Sequence, residues 1–269
     1  MYDIVLYCSQ NYMAALDLTL PYFANNSGAE RVIVYTDEKD EEWRAKPHFD
    51  TKTTIEYRPL FPRSDDWIEN VGRLPLAAED YVNSVDDGRY FCSLAADIMI
   101  LRSVREVFGL INDDRWLGIF RVDVENRTIP NVFYARVNAA CRDMVKHWVR
   151  ISQVYRDCKI GVEKDRAAYD QISFDFLVRS CYYDNTLPLN QSLLMNEADD
   201  LQRWWDSVKH HGHNVRTLHF KGGRWQNKDL VEKMLRLAEV SSEDDSERLA
   251  SPCGPPGVAE VAHGGAVQR

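Results

Sequence analysis

The segment that most restricts the fold of this chain is residues 90–101, YFCSLAADIMIL. It is almost continuously apolar and carries one carboxylate, Asp97. A run of this kind is typical of a strand that is buried on both faces of a parallel sheet. An uncompensated carboxylate inside such a strand would cost several kcal/mol. We therefore expect Asp97 to lie where the strand ends and the sheet opens to a ligand or a cation.

Apolar, β-rich segments alternate with amphipathic ones along the chain. Strands are predicted at residues 2–7, 31–36, 53–57, 90–101, 117–124 and 217–220, and helices around residues 13–20 and over 138–149, 169–179 and 230–240. Alternating strands and helices predict an α/β fold with a mostly parallel central sheet flanked by helices. Residues 1–240 are predicted to form one domain. Residues 241–269 are rich in Ser, Glu, Asp, Pro and Gly, and are predicted to be a disordered tail.

Composition excludes several classes of protein. The 269 residues include 42 acidic and 33 basic side chains, and the net charge of -9 disfavours nucleic acid as a partner. The chain has neither a run of uncharged apolar residues that could span a membrane nor a basic start followed by an apolar stretch. Its six cysteines are scattered without a CxxC pair, which disfavours a zinc site and favours free thiols. We expect a soluble, cytoplasmic protein without a transmembrane segment.

Two segments resemble the metal-binding motifs of a known enzyme class. In residues 89–101 an apolar strand runs into Ala95-Ala96-Asp97, and residues 218–225 read LHFKGGRW. They are similar to the Asp-x-Asp strand and the late His-x-x-Gly motif of GT-A fold glycosyltransferases, in particular glycosyltransferase family eight and its relatives. The resemblance implies a GT-A (Rossmann-like) fold and a divalent metal, Mn²⁺ or Mg²⁺. Asp97 and His219 would be its ligands.

The same resemblance implies which residues bind the sugar donor. Arg73 resembles the donor-contacting arginine upstream of the metal strand, and residues 134–144 (YARVNAACRDM) resemble the Asn-Ala-Gly segment, which places Asn138 at the donor. In the family, a glycine turn and a basic residue after the histidine hold the diphosphate. Loops that follow parallel strands meet at one edge of the sheet, beside the nucleotide. The remaining candidates are Lys221, Gly222, Gly223 and Arg224 for the diphosphate, and Ser9, Gln10, Asn11 and Asp37 for the nucleotide.

Asp170 and Gln171 resemble the Asp-Gln pair that contacts the donor sugar in the family. Transfer of a sugar develops positive charge on the sugar ring, which a nearby carboxylate, Asp170 or Asp175, would stabilise. If the resemblance holds, the anomeric configuration is retained. If Asp170 or Asp175 instead activates the acceptor hydroxyl as a base, the configuration is inverted.

One position departs from the family pattern. Ala95 stands where the first carboxylate of Asp-x-Asp is expected. A divalent ion that bridges a diphosphate takes oxygen ligands from one or two protein carboxylates, the phosphates and water. Asp97 and His219 alone would bind the ion more weakly. Natural tolerance of the change, a metal-independent enzyme, an engineered knock-out and a degenerate non-catalytic homologue all stay open as explanations of Ala95.

The function implied is transfer of a sugar from a nucleoside-diphosphate sugar, a UDP-sugar foremost, to a hydroxyl of a glycan or small acceptor. Two alternatives stay open. A non-catalytic GT-A homologue acting as a binding module is favoured by Ala95 and by the acidic tail. A sugar nucleotidyltransferase is disfavoured because the loop after the first strand, YCSQNYMAA, is neither glycine-rich nor basic. The absence of GxGxxG after any predicted strand disfavours a dinucleotide oxidoreductase.

Overall fold

The structure is a computed structural model. It describes residues 1–9, 12–37, 53–62, 64–122, 127–163, 166–189, 194–196, 217–219, 226–227, 229 and 231–232. The predicted tail, residues 241–269, and most of the predicted helix at 230–240 lie outside these residues.

Twelve strands are present in this part of the chain. They are β1 (Tyr2–Cys8), β2 (Arg31–Asp37), β3 (Thr54–Phe61), β4 (Tyr90–Ala95), β5 (Ile98–Ile100), β6 (Leu117–Val122), β7 (Arg127–Arg136), β8 (Val162–Glu163), β9 (Arg166–Ala167), β10 (Thr186–Leu189), β11 (Leu194–Asn196) and β12 (Thr217–His219). Seven of them form a central sheet in the order β10-β6-β7-β4-β1-β2-β3. Six of the seven run in one direction and β7 runs against them. The prediction of a mostly parallel sheet is confirmed.

Helices cover both faces of this sheet. They are α1 (Met13–Asn26), α2 (Trp67–Val71), α3 (Arg73–Ser84), α4 (Arg105–Phe108), α5 (Ala139–Asp157) and α6 (Tyr169–Cys181). On one face, Leu16 and Phe23 of α1 pack with Leu6 of β1. On the other face, Trp148 of α5 and Phe174 of α6 pack with β-strand side chains. The α/β prediction is confirmed. None of the described helices has both the length and the apolar character required to cross a lipid bilayer.

The apolar segment 90–101 is not one strand, as its composition predicts, but two. β4 ends at Ala95, a turn follows at Ala96 and Asp97, and β5 begins a second sheet of order β11-β12-β5. The Thr19 hydroxyl of α1 donates a hydrogen bond to Ala96 O at 2.8 Å, which fixes the turn against α1. The break falls at the carboxylate because a sheet interior offers a charged group no water. Asp97 therefore lies at a strand end, as expected.

A buried ion cluster joins the amino ends of the central strands. Asp3 in β1 is fully buried and accepts hydrogen bonds from Arg31 Nη2 at 2.5 Å, from Arg89 and from the Tyr81 hydroxyl at 2.8 Å. Burial alone would raise the pKa of Asp3, but the hydrogen bonds from Arg89, Arg31 and Tyr81 hold it below its ordinary value. This cluster lies at the sheet edge opposite Asp97 and joins β1, β2, α3 and the start of β4.

Candidate functional site

The carboxyl ends of β1, β2 and β4 meet at one edge of the sheet. Tyr7 of β1 lies in register with Ala95 at the end of β4, and Cys8 lies in register with Thr36 of β2. Neighbouring strands are about 4.8 Å apart. Ser9, Asp37 and Asp97, which end or follow these three strands, are therefore brought to the same edge, where parallel sheets bind ligands.

Asp97 lies in the turn between β4 and β5 and is 7% exposed. Tyr12, at the start of α1, is close enough that burial and the Asp97 charge together raise its pKa to about 12. β12 pairs antiparallel with β5, and His219 lies directly opposite Ile98, the residue after Asp97. The two predicted metal ligands, distant in sequence, therefore occupy adjacent backbone positions.

The two predicted ligands, Asp97 and His219, would suit a metal ion that is held mainly by a bound substrate. Among the side chains that the structure describes, no three His, Cys, Asp or Glu residues come together as a metal site. Ala95 provides no ligand atom at the end of β4. Mg²⁺ and Mn²⁺ in phosphate sites use one or two protein ligands together with phosphate oxygens and water. The Asp97 carboxylate and the neighbouring backbone position of His219 would supply as many protein ligands as that pattern requires.

Arg73 and Asp37 form a buried ion pair beside this edge, at the start of α3 and the end of β2. Arg73 also donates to the Tyr7 hydroxyl at 3.1 Å and to Pro62 O at 2.6 Å, and its side chain is 6% exposed. The Tyr7 hydroxyl in turn lies 2.9 Å from Asp37 Oδ1. Burial raises the pKa of Tyr7 above its ordinary value. The Asp37 carboxylate is thus bound to a guanidinium and a phenol.

The sequence predicts Arg73 and Asp37 as separate donor contacts, and it gives no signal for Tyr7. A tyrosine in an apolar strand has the pattern of an ordinary core residue. The register of β1 places Tyr7 at the ligand edge, and the hydrogen bonds of its hydroxyl with Asp37 and Arg73 show that the hydroxyl reaches that edge.

Asp170 lies in the first turn of α6, and its carboxyl is completely enclosed by protein. Burial raises its pKa to about 7, against a smaller opposite effect of hydrogen bonds from the backbone N–H groups of Gln171 and Asp170 itself. Asp170 Oδ1 has no hydrogen-bond partner among the described residues. Gln171 is exposed at the same helix start. Asp175 lies further along α6 and pairs with Arg179 at 3.5 Å.

Asn138 is not brought together with the other predicted residues. Its side chain accepts a hydrogen bond from Cys141 N at 2.8 Å, which makes it the N-cap of α5. It follows β7, the reversed strand, whose Arg136 lies in register with Tyr90 at the amino end of β4. Asn138 therefore lies at the edge opposite Asp97. The other predicted binding residues, Gln10, Asn11, Lys221, Gly222, Gly223 and Arg224, lie outside the described residues.

Comparisons with known proteins find similarity only at the level of structure. No protein-family model matches the chain, and no curated protein matches its sequence. The glycosyltransferase GlyE of Streptococcus pneumoniae TIGR4 aligns with a TM-score of 0.57 and 12% identity, over 83% of this chain and 56% of GlyE. Mouse xyloside xylosyltransferase 1, in its apo form, aligns with a TM-score of 0.53 and 10% identity, over 82% of this chain and 98% of the mouse chain. The chain has a GT-A fold.

This GT-A fold confirms the fold that the motif resemblance implies. The chain spans 56% of the length of GlyE, and identities of 10% and 12% concern the fold alone. Relation to glycosyltransferase family eight stays a prediction.

Proposed function

We propose that this chain transfers a sugar from a nucleoside-diphosphate sugar, a UDP-sugar foremost, to a hydroxyl of a glycan or small acceptor, with the help of Mn²⁺ or Mg²⁺. The observation that carries the proposal is the adjacency of Asp97 and the His219 backbone position at the carboxyl edge of the sheet. The fold supports it, since two solved glycosyltransferases share it.

The leaving diphosphate gains negative charge in the transition state and must be stabilised. A bound divalent ion supplies Lewis-acid stabilisation of that charge. Asp97 and His219 are the protein ligands in this proposal, and the segment after β12 holds the phosphates through Lys221, Gly222, Gly223 and Arg224. Ser9, Gln10, Asn11 and the paired Asp37–Arg73 border the nucleotide.

The sugar side of the reaction is assigned to the start of α6. A carboxylate near the sugar stabilises its developing positive charge. Asp170 lies in the first turn, where the helix dipole favours negative charge, but its carboxyl is enclosed by protein, which counts against direct contact with the sugar. Gln171 stands beside it, exposed. Asp175 is the weaker candidate, since its carboxylate is paired with Arg179. The resemblance to family eight favours retention, which product NMR with a defined acceptor would show directly.

Donor hydrolysis tests the proposal. Nucleotide sugars based on uridine, guanosine and thymidine are incubated with the full chain, with and without Mn²⁺, and the thermal midpoint is followed with the matching diphosphates. We expect one nucleotide to raise the midpoint in a metal-dependent way. Asp97→Asn should remove that metal dependence, whereas Asp86→Asn, an exposed aspartate at the opposite edge, should not. A chain that responds to none of the nucleotides would refute the proposal.

The second candidate is a GT-A binding module without catalysis, which Ala95 favours. Ala95→Asp restores the missing carboxylate at the end of β4. We expect it to tighten Mn²⁺ binding in the presence of nucleotide, measured by calorimetry. Nucleotide binding without hydrolysis or transfer of any donor would favour the binding module over the enzyme.

A further inference from the structure

A cavity of about 230 Å³ lies at the carboxyl edge of the sheet, on the face away from Asp97. It is open to solvent and is lined by Phe61 at the end of β3, Arg73 of α3, Tyr169 of α6, and residues of α2 and α5. The Asp97 turn, in contrast, is bonded to α1 on the other face. The cavity and the candidate metal position therefore share an edge and lie on opposite faces of the sheet.

The cavity is preformed by a close contact between two helix starts. The Tyr169 hydroxyl donates to Ile68 O in α2. It lies so close to Gly72, between α2 and α3, that a Cβ there would come within 2.5 Å of it. A side chain at Gly72 would displace the Tyr169 hydroxyl and ring from this position. Glycine at this position thus allows Tyr169 to form one wall of the cavity.

The chemistry of the lining suits a neutral sugar. Phe61 and Tyr169 line the cavity although both are almost fully buried, and Glu69, Gln153 and Arg156 contribute polar groups at the exposed rim. A carboxylate accepts hydrogen bonds, a guanidinium donates them and an amide does both, which matches hydroxyls that both donate and accept. Of the two arginines in the lining, Arg73 is paired with Asp37, and Glu69 offsets the charge of Arg156, so the lining has no excess of positive charge for an anion.

The size of the cavity suits a small ring. Its volume of about 230 Å³ is below the range of about 300 to 1,000 Å³ that is usual for drug-sized ligands. A single sugar unit suits this space better than a whole nucleotide sugar does.

We infer that this cavity binds the acceptor, in the form of one neutral sugar unit. The inference rests on the proposed function. Arg73 forms a wall of the cavity and at the same time contacts Asp37 and Tyr7 at the strand ends. Tyr7 lies in register with Ala95, so the wall stands one strand away from the Asp97 turn. Asp170, assigned above to the donor sugar, does not line the cavity.

Binding of simple glycosides is tested first, without any nucleotide. Saturation-transfer difference NMR is recorded on the full chain with the methyl glycosides of glucose, galactose, mannose, xylose and N-acetylglucosamine. We expect saturable binding of at least one of them. Arg156→Ala and Gln153→Ala should each weaken it by at least about tenfold, since each removes a hydrogen-bonding group. Arg150→Ala removes an exposed arginine of the same helix that does not line the cavity, and should leave binding unchanged.

Absence of saturable binding for all five glycosides would overturn the inference, as would equal affinity in Arg156→Ala, Gln153→Ala and wild type. The acceptor role is then tested by transfer kinetics. Arg156→Ala should raise the ratio of acceptor KM to donor KM by about tenfold. A rise of the donor KM alone would make the cavity a donor subsite and overturn the acceptor role.

Failure of the proposed function has a different signature. It would leave glycoside binding and its loss in Arg156→Ala intact, while no nucleotide sugar is bound, hydrolysed or used. In that case the acceptor role is overturned and a sugar-binding cavity remains.

Discussion

Replacing Asp170 by Asn removes a charge from a fully buried position, and we expect the variant to be more stable than wild type at alkaline pH. Burial raises the pKa of Asp170 from 3.8 to about 7. The folded protein therefore holds this proton more tightly than the unfolded chain does. The resulting penalty is absent below about pH 4, grows between about pH 4 and about pH 7, and is complete above that range.

The size of the effect follows from two opposing contributions. A pKa raised from 3.8 to about 7 corresponds to a penalty of about 4 kcal/mol for the ionised form. The Asn amide keeps an oxygen for the backbone N–H groups but places its nitrogen where Asp170 Oδ1 has no partner among the described residues. An unsatisfied buried group costs about 1–3 kcal/mol at every pH. Relative to wild type, the free energy of unfolding of the variant should be higher by about 1–3 kcal/mol near pH 8. Near pH 5 it should not be higher, because much of the penalty of ionised Asp170 in wild type is absent there.

Urea denaturation of wild type and Asp170→Asn across this pH range measures the difference directly. The free energy of unfolding of the variant, relative to wild type, should rise with pH. Asp175→Asn serves as control on the same helix, since its carboxylate is paired with Arg179 at the surface and should show no such rise. A difference between Asp170→Asn and wild type that is constant with pH would refute the reasoning.

Three further expectations concern the rest of the fold. Asp3→Asn should lower the free energy of unfolding by about 3–5 kcal/mol, because its arginine partners lose their buried anion. Wild type itself should lose this stabilisation in acid, as pH falls through the lowered pKa of Asp3. Equal urea midpoints for variant and wild type would contradict both expectations. Thr19→Val should lower the free energy of unfolding by about 1 kcal/mol, because it removes the hydrogen bond to Ala96 O. In scanning fluorimetry, UDP with Mn²⁺ should raise the thermal midpoint of the variant less than that of wild type. An equal rise in both proteins would mean that the bond does not position the turn. Iodoacetamide should label the exposed Cys158 and spare Cys92, whose thiol is fully buried with a raised pKa. Mass spectrometry of protein labelled in its native state measures both sites. Labelling of Cys92 would show that the core opens.

The sequence alone was sufficient for the features that depend on local physics. The apolar run 90–101 indicated a buried strand, and the cost of a buried charge indicated that Asp97 marks its end. It could not show that the run changes sheets there. That outcome depends on the pairing of β5 with β12, whose register only tertiary structure fixes.

The same limit explains Asn138. A polar residue before an amphipathic helix is equally a cap and a candidate ligand contact, and the sequence does not distinguish the two. The direction of β7 decides between the two roles, because it places Asn138 at the amino end of β4, away from the candidate site. For Arg73, the predicted place near the donor is consistent with its position at the carboxyl edge of the sheet. Its buried ion pair with Asp37, which joins the start of α3 to the end of β2, could not be predicted because it depends on tertiary packing.

The two-residue link between β4 and β5 couples the stability of two sheets. Asp97 belongs to this link, and β12 pairs with β5. A ligand that binds Asp97 therefore restrains both sheets at once. Amide hydrogen exchange should then slow together in β4, β5 and β12 when donor and metal are added, although β12 contributes no more than three residues. Hydrogen exchange in the three-stranded sheet would thus indicate whether a ligand is bound at the carboxyl edge of the central sheet.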